Sequence, residues 1–331
     1  MNVKFAFAGT PDFAAWVLSD LWELGRRPVL VLSQPTRPRG RGLRLLPSPV
    51  ALRAAKLGIA CLEVPDINAP AILEQLQQAE VSTLVVAAFG QMLGSRVLES
   101  LHCLNIHASL LPAYRGAAPI ERALAAGEER TGITVMRITR ELDQGPIALQ
   151  TAVSVSLRDD AGSLGRILAL LGAVGMHHVL RGLEDGTVSW REQEGASSYA
   201  AKLTPADCLL RLHAGAKAVH NQVRSLSPRV GARAMIGDLG VKIWRTWPYG
   251  DAGLDPVPSL AVGVAGMPGR LCAAGERLFV GCAEGVVEVF EIQPHHRRRM
   301  TAGEFIRGYG RCLRGGTMLA VPADSDKSGD S

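Results

Sequence analysis

The 331-residue chain predicts an α/β protein: a mostly parallel, Rossmann-like sheet followed by a second, smaller OB-like β-barrel domain. Three observations predict it. Over the first half, short apolar strand signals alternate with helical stretches, which is the pattern of parallel strands joined by helical crossovers. Beyond about residue 205 that alternation gives way to short β-rich segments punctuated by Gly and Pro, as in small barrels. The length itself exceeds what one core usually fills.

The first strand is read at 3–8, where Lys4 is followed by Phe5-Ala6-Phe7-Ala8. Gly9, Pro11 and Asp12 cut this apolar stretch short, so it reads as a buried strand and not as a signal peptide. Further buried strands are expected at 28–33, 83–88, 104–107, 132–138 and 147–155. Helices are expected between them at 13–24, 49–56, 69–78 and 118–125, with a long one at 163–182. Gly9-Thr10-Pro11 after the first strand is not a GxGxxG fingerprint, so a dinucleotide is poorly supported. Periodicity weakens where Gly186, Gly195, Ser197 and Ser198 cluster. The expected division is therefore a first domain over 1–188, a linker over 189–206, a barrel domain over 207–322 and a disordered tail over 323–331. In the barrel domain a helix is expected at 205–224, then strands at 241–247, 269–273, 277–281 and 286–292.

The formal net charge is +5, unevenly placed. The stretch 24–62 holds eight basic residues and no acidic one, densest at Arg37, Arg39, Arg41 and Arg44. Residues 1–201 are balanced as a whole, and 202–331 hold seventeen basic residues against twelve acidic ones. Two local basic patches fit a polyanionic partner, although +5 alone would serve solubility. No apolar run is seen to approach the ~18 residues of a membrane span, so no membrane partner is expected. The six cysteines are scattered without CxxC spacing, which reads as reduced thiols in a cytoplasmic protein. No HExxH or paired-His spacing appears, so no metal is expected. Nothing in the sequence requires more than a monomer.

The chemistry concentrates in Asn105-Ile106-His107-Ala108-Ser109-Leu110-Leu111-Pro112, continuing to Tyr114-Arg115-Gly116. On a strand, positions i and i+2 share a face, so Asn105 and His107 point one way and Ile106 points into the core. An amide and an imidazole at the carboxyl end of a buried strand stand where open α/β sheets place their ligands. Asp143, in Glu141-Leu142-Asp143-Gln144-Gly145-Pro146, is a third candidate, held in a turn. No Ser or Cys sits in a nucleophile elbow. The set therefore fits group transfer without a protein nucleophile: two donors for an oxyanion, and a carboxylate that orients the imidazole and moves protons. Singly, each residue could as well be structural, as a strand cap, a satisfied histidine or a turn carboxylate. Together they favour the functional reading.

Asn-x-His-x-Ser-Leu-Leu-Pro, then Tyr-Arg-Gly-Ala-Ala-Pro-Ile with Leu-Asp-x-Gly downstream, resembles the folate-dependent formyltransferases. The opening 7–14 and the loop from Gln34-Pro35 through Gly40-Arg41-Gly42 to Pro47-Ser48-Pro49-Val50 are similar to the branch acting on methionyl initiator tRNA. The resemblance implies formyl transfer from 10-formyltetrahydrofolate, as co-substrate, to the α-amino group of that tRNA's methionine in translation initiation. By motif position it makes Asn105, His107 and Asp143 catalytic. Ser109, Leu110, Leu111, Pro112, Phe89 and Gly90 would form the folate site, and Arg37, Arg39, Arg41 and Arg44 would face the tRNA. Departures from the family pattern fall on the RNA side, at Leu43-Arg44, Leu209-Leu210-Arg211-Leu212 and Ser227-Pro228-Arg229-Val230. Two alternatives stand beside this reading: a formyltransferase for a small amine such as an aminosugar or a ribonucleotide, and a catalytically silent RNA- or folate-binding relative.

Overall fold

The computed structural model describes residues 3–39, 44–313 and 318–320. Arg41 and the expected tail at 323–331 lie outside the described residues. The chain forms two compact units. The first comprises Met1–Pro119, Arg130–Ser154 and Leu164–Lys202. The second comprises Ile120–Glu129, Val155–Ser163 and everything from Leu203 onward.

The elements of the first part of the chain are β1 (Phe5–Gly9), α1 (Asp12–Glu23), β2 (Leu30–Ser33), β3 (Arg37–Arg39), β4 (Arg44–Leu46), α2 (Pro49–Leu57), β5 (Cys61–Glu63) and α3 (Pro70–Gln78). They continue with β6 (Thr83–Ala87), α4 (Ser95–Ser100), β7 (His102–His107), β8 (Arg115–Gly116), α5 (Pro119–Ala126), β9 (Arg130–Arg137), β10 (Ile147–Ser154), α6 (Ala161–Asp185) and β11 (Tyr199–Ala200).

The first unit is organised around a sheet of order β10-β9-β7-β6-β1-β2-β5. Strands β5, β2, β1, β6 and β7 run parallel, whereas β9 and β10 are antiparallel additions. The parallel strands are apolar on both faces, as burial on both sides demands. Ala6, Ala8, Leu30, Leu32, Leu84, Val86 and Cys103 pack on one side with Leu76 of α3 and Val97 of α4. On β7 the alternation places Ile106 against α6: a Cβ on Gly172 would come within 2.5 Å of Ile106 Cγ2. A Cβ on Gly175 would lie 3.0 Å from Leu149, 3.2 Å from Ile133 and 3.3 Å from Val135. These glycines let α6 approach the strand that carries Asn105 and His107. Gly172→Leu should therefore cost ~1–3 kcal/mol by overpacking, read from denaturant midpoints, and should depress turnover by displacing β7.

One expectation needs correction. An 18-residue window of α6 has a mean hydropathy of 1.4, so this helix is long and apolar enough to cross a membrane by length and composition. Arg166, His177 and His178 interrupt its apolar sequence, so the helix holds no uninterrupted apolar run of that length. Of that window 56% is buried within the protein, with Leu164, Leu168, Ala169, Ala173 and Met176 fully covered.

The second unit adds α7 (Ala216–Leu226), β12 (Ala232–Ile236), β13 (Leu239–Tyr249), β14 (Leu271–Ala274), β15 (Arg277–Gly281), β16 (Val286–Pro294), β17 (Met300–Thr301), α8 (Ala302–Tyr309) and β18 (Leu319–Ala320). Its sheet has the order β14-β15-β16-β13-β12-β18 with antiparallel neighbours, and β17 pairs with β16. An Arg270–Met318 bridge and a 2.7 Å bond from Leu319 N to Gly269 O join the two edges. The helix expected at 205–224 begins only at Ala216. Pro205 opens a single 3-10 turn over Ala206–Cys208, and the chain is then irregular, with Leu210 and Leu212 buried in the core. This irregular piece satisfies its backbone through Gln222. The Gln222 amide donates to Asp207 O (2.9 Å) and Leu209 O (2.7 Å) and accepts from Arg211 N (2.9 Å). Asp207, paired bidentately with Arg122 at 2.7 and 2.9 Å, is held well below the usual carboxylate range.

Buried His220 of α7 donates from Nε2 to Leu157 O (2.8 Å) and accepts at Nδ1 from Thr246 Oγ1 (3.0 Å). Burial lowers its imidazole from 6.5 to about 4, so the folded unit holds it neutral. The unfolded chain binds a proton there that the folded chain does not. Its contribution is full above about pH 6.5 and is lost as pH falls toward 4, a span worth roughly 3 kcal/mol. Stability measured from pH 7 to 4.5 should fall along this slope, and His220→Asn should flatten it. Equal slopes in both proteins would contradict this reading.

Candidate active site

β7 ends beside β6 and β9, in the registers Val86↔Asn105 and Asn105↔Met136. Asn105 and His107 leave this strand on the same side. Asp143 comes from the turn after β9. Its Oδ1 lies 3.5 Å from Asn105 Nδ2, and its Oδ2 lies 3.7 Å from His107 Nδ1. Asp143 Oδ2 also accepts a 2.8 Å bond from Gly116 N. The three side chains thus meet around one carboxylate, with the His107 and Asp143 side chains only 6% and 11% exposed.

The geometry assigns the imidazole edges. His107 Nε2 lies 2.8 Å from Tyr114 O, and a carbonyl can only accept, so Nε2 carries the hydrogen. Nδ1 is the edge left facing Asp143. The long Asn105–Asp143 contact leaves the amide able to turn to a better acceptor. Asp143 stands in the left-handed region at φ +52°, a conformation that Asp tolerates better than most side chains. The turn also needs Gly145, where a Cβ would sit 1.9 Å from Arg137 O. Cys103, two residues before Asn105, is buried and its thiol is pushed up to about 12, which keeps it a protonated core residue.

The expected folate residues divide. Ser109 and Leu111 are buried supports: Ser109 Oγ donates to Ala113 O (2.6 Å), and Leu111 N donates to Thr134 Oγ1 (3.1 Å). Leu110 and Pro112 remain partly open, with a cis bond between Leu111 and Pro112. The Phe89 side chain belongs to the core, and its carbonyl already accepts from Thr10 Oγ1 (3.1 Å) and Gln34 Nε2 (2.9 Å). Gly90 is exposed beside it at φ +81°. Among the arginines expected to face RNA, Arg37 and Arg39 lie on β3 and Arg44 on β4, which pair antiparallel.

Sequence reasoning missed several residues around the trio. Thr134 Oγ1 donates to Ser109 O (2.7 Å), and Gln150 Nε2 donates to Leu111 O (2.8 Å), so β9 and β10 brace the loop after His107. Gln193 donates to the carbonyls of Asp143 and Gly145, and Ser198 reaches Tyr114. No local motif marks these side chains, since each bonds to backbone far away in sequence.

A doubly covered α/β sheet with an amide, an imidazole and a carboxylate gathered at one strand end is the arrangement of a group-transfer enzyme. The family model described as formyl transferase matches residues 1–180, and that of the formyl transferase C-terminal domain matches 202–310. The chain belongs to the formyl transferase family. It is 39% identical over 312 residues to the methionyl-tRNA formyltransferase of Aromatoleum aromaticum, covering 93% of this chain and 94% of that one. To the enzyme of the same name from Methylobacterium it is 37% identical over 324 residues, covering 97% and 100%. Among solved structures, HypX from Aquifex aeolicus, determined with tetrahydrofolic acid, superposes with a TM-score of 0.65 at 15% identity. That match covers 95% of this chain and 48% of HypX, so the chain spans about half of that protein. The N-formyltransferase of Helicobacter canadensis, solved with folinic acid and dTDP-3-aminofucose, gives 0.61 at 15% identity over 90% and 100%. At such identity these two structures speak to fold alone.

Proposed function

We propose that this chain transfers a formyl group from 10-formyltetrahydrofolate to the α-amino group of methionyl initiator tRNA, as a cytoplasmic monomer needing no metal. The convergence of Asn105, His107 and Asp143 carries the chemistry. The amine nitrogen forms a bond to the formyl carbon, whose oxygen becomes an oxyanion. The bond from that carbon to the folate nitrogen then breaks. The amine loses a proton and the folate nitrogen gains one. Asn105 Nδ2 turns from Asp143 toward the oxyanion. His107, its Nε2 fixed on Tyr114 O, stabilises the same charge through a protonated Nδ1. Asp143 orients the ring and relays the proton. Leu110, Pro112 and Gly90 line the folate site, Phe89 supports it from the core, and Ser109 and Leu111 hold its loop in place.

The acceptor reading is supported by full-length likeness to methionyl-tRNA enzymes, by the run of arginines within 37–44 of the sequence and by arginines held on aromatic rings in the second unit. Arg37, Arg39, Arg41 and Arg44 of the first unit face the acceptor end of the tRNA. The second unit, read as an OB-like barrel on the strength of its edge-joining bridge, has a cavity of about 610 Å³ lined in part by arginines and aromatic rings. There Arg158 lies 5.6 Å from the Trp247 ring centre, Arg245 5.2 Å from Phe290 and Arg299 3.8 Å from Trp244. Guanidinium groups held on rings suit phosphates and bases together. Arg41→Ala and Arg245→Ala should each weaken tRNA use and lower its salt slope by about one phosphate contact, leaving folate affinity unchanged. A change in folate affinity alone would overturn these assignments. To test the acceptor, kcat/KM is compared on methionyl initiator tRNA, an aminosugar and a ribonucleotide amine. The tRNA should be preferred by orders of magnitude, whereas preference for a small amine would favour the alternative enzyme.

A further inference from the structure

Two residues in the left-handed region touch the trio. Asp143 (φ +52°) is a member of it, and Tyr114 (φ +59°) supplies the carbonyl that fixes His107. Such conformations persist for non-glycine residues when their surroundings hold them. Both are held by one stretch, 191–200, which lies between the regions matched by the two family models.

Gln193 uses its whole amide. Nε2 donates to Asp143 O (2.8 Å) and Gly145 O (2.9 Å), while Oε1 accepts from Arg115 Nη2 (2.7 Å) and Nε (3.2 Å). This pattern fixes the amide orientation, since its two donors meet carbonyls and its oxygen meets a guanidinium. A closed circuit results. Gln193 binds the Asp143 carbonyl and the Arg115 side chain, and the next backbone N–H, that of Gly116, binds the Asp143 carboxylate at 2.8 Å. Asp143 is gripped at its carbonyl and at its carboxylate.

Ser198 does the same for the other loop. Its Oγ accepts from Tyr114 N (2.8 Å), its carbonyl from Arg115 N (2.9 Å), and its N–H reaches Pro112 O at 3.3 Å. Beyond it, β11 pairs parallel with β8, and Ala200 O accepts from Ala117 N (2.9 Å) and Ala118 N (3.2 Å). A Cβ on Gly116 would come within 2.6 Å of the Tyr199 ring, so the two segments lie in close contact.

We infer that the stretch 191–200 is a strap that sets the catalytic geometry, with Gln193 the positioning residue for Asp143 and Ser198 the positioning residue for the Tyr114–His107 contact. The inference rests on the trio being the reaction centre. The stretch expected to be a mere linker is thus part of the site's frame.

The test is made on the full chain with its best acceptor. Gln193→Ala should lower kcat by ~10–100-fold, because small misplacements of a reacting group carry penalties of that order. KM for folate and for tRNA should stay within about threefold, since neither substrate is bound by Gln193, and the melting temperature should stay close to that of the parent protein. In an Asp143→Ala background, adding Gln193→Ala should change kcat no further, because nothing is left to position. A linker that only contributes stability would instead lower the melting temperature and add its effect in both backgrounds. Gln193→Glu keeps the side-chain length and the Arg115 pair but turns a carboxylate onto two carbonyls, so it should be at least as slow as Gln193→Ala. It carries the test if the alanine variant fails to fold. Unchanged kcat in both Gln193 variants, or additive losses with Asp143→Ala, overturns the inference. Failure of the tRNA reading looks different: the parent enzyme would prefer another amine, and the Gln193 effect would persist on that amine.

Discussion

His107→Ala should lower turnover by ~10²–10³-fold while folate binding stays nearly unchanged, the loss expected when one preorganised oxyanion donor is removed. The reason lies in how the ring is held. Nε2 is committed to Tyr114 O, so the imidazole cannot swing away and offers Nδ1 alone to the reacting group. The side chain is almost fully covered, so its hydrogen bonding acts where water cannot screen it. Asn105→Ala should show a loss of the same order, and the two together less than the product of the singles, because they serve one oxyanion. Near-normal turnover in both single variants would remove the site from the account.

Asp143→Asn should cost up to ~10⁴-fold in kcat, on the pattern of orienting carboxylates beside a catalytic imidazole. The substitution keeps the side-chain shape, an oxygen for Gly116 N and a residue type that tolerates the left-handed conformation. What it removes is the negative charge near His107 Nδ1 and the acceptor for the amine's proton. KM values and the melting temperature should therefore move little. A variant with parental kcat would show that Asp143 is an ordinary turn residue. A variant with weak folate binding and intact kcat would place it in substrate binding instead.

Much of this arrangement was legible in the residues. Strand and helix alternation in the first half follows directly from apolar periodicity, because parallel strands buried on both faces have little sequence freedom. Asn105 and His107 announce themselves as polar groups at i and i+2 on an otherwise apolar strand, and Asp143 by the Gly and Pro around it. The thin signals were missed for physical reasons. β5 is only three residues long. α7 was extended backward to Pro205 because its amphipathic pattern continues through Leu209, Leu210 and Leu212. Instead the helix gives way there to irregular chain that buries Leu210 and Leu212 in the core and is held by the Gln222 side chain. α8 could have been found, since Thr301 and Glu304 form a capping box before a helix carrying Phe305. Gln193 and Ser198 could not. Their partners, main-chain groups and the Arg115 guanidinium, lie 48 to 86 positions away, and no spacing rule connects such atoms.

The basic groups divide in the same way. Arg37, Arg39, Arg41 and Arg44 stand out as a cluster along the chain. The Arg158, Arg245 and Arg299 set of the second unit assembles from three separate segments and becomes visible only when the unit is folded.

The central claim is direct transfer of the formyl group from folate to the amine of methionyl initiator tRNA, with no residue of the protein carrying it. A rapid-quench single turnover with carbon-14-labelled formyl donor tests it most directly. The predicted result is that label leaves the folate and enters the methionine of the tRNA with the same rate constant, that quenched protein carries none at any time, and that His107→Ala and Asp143→Asn slow both processes equally. Label bound to protein before it reaches the tRNA, or label that never reaches the tRNA, would contradict the account.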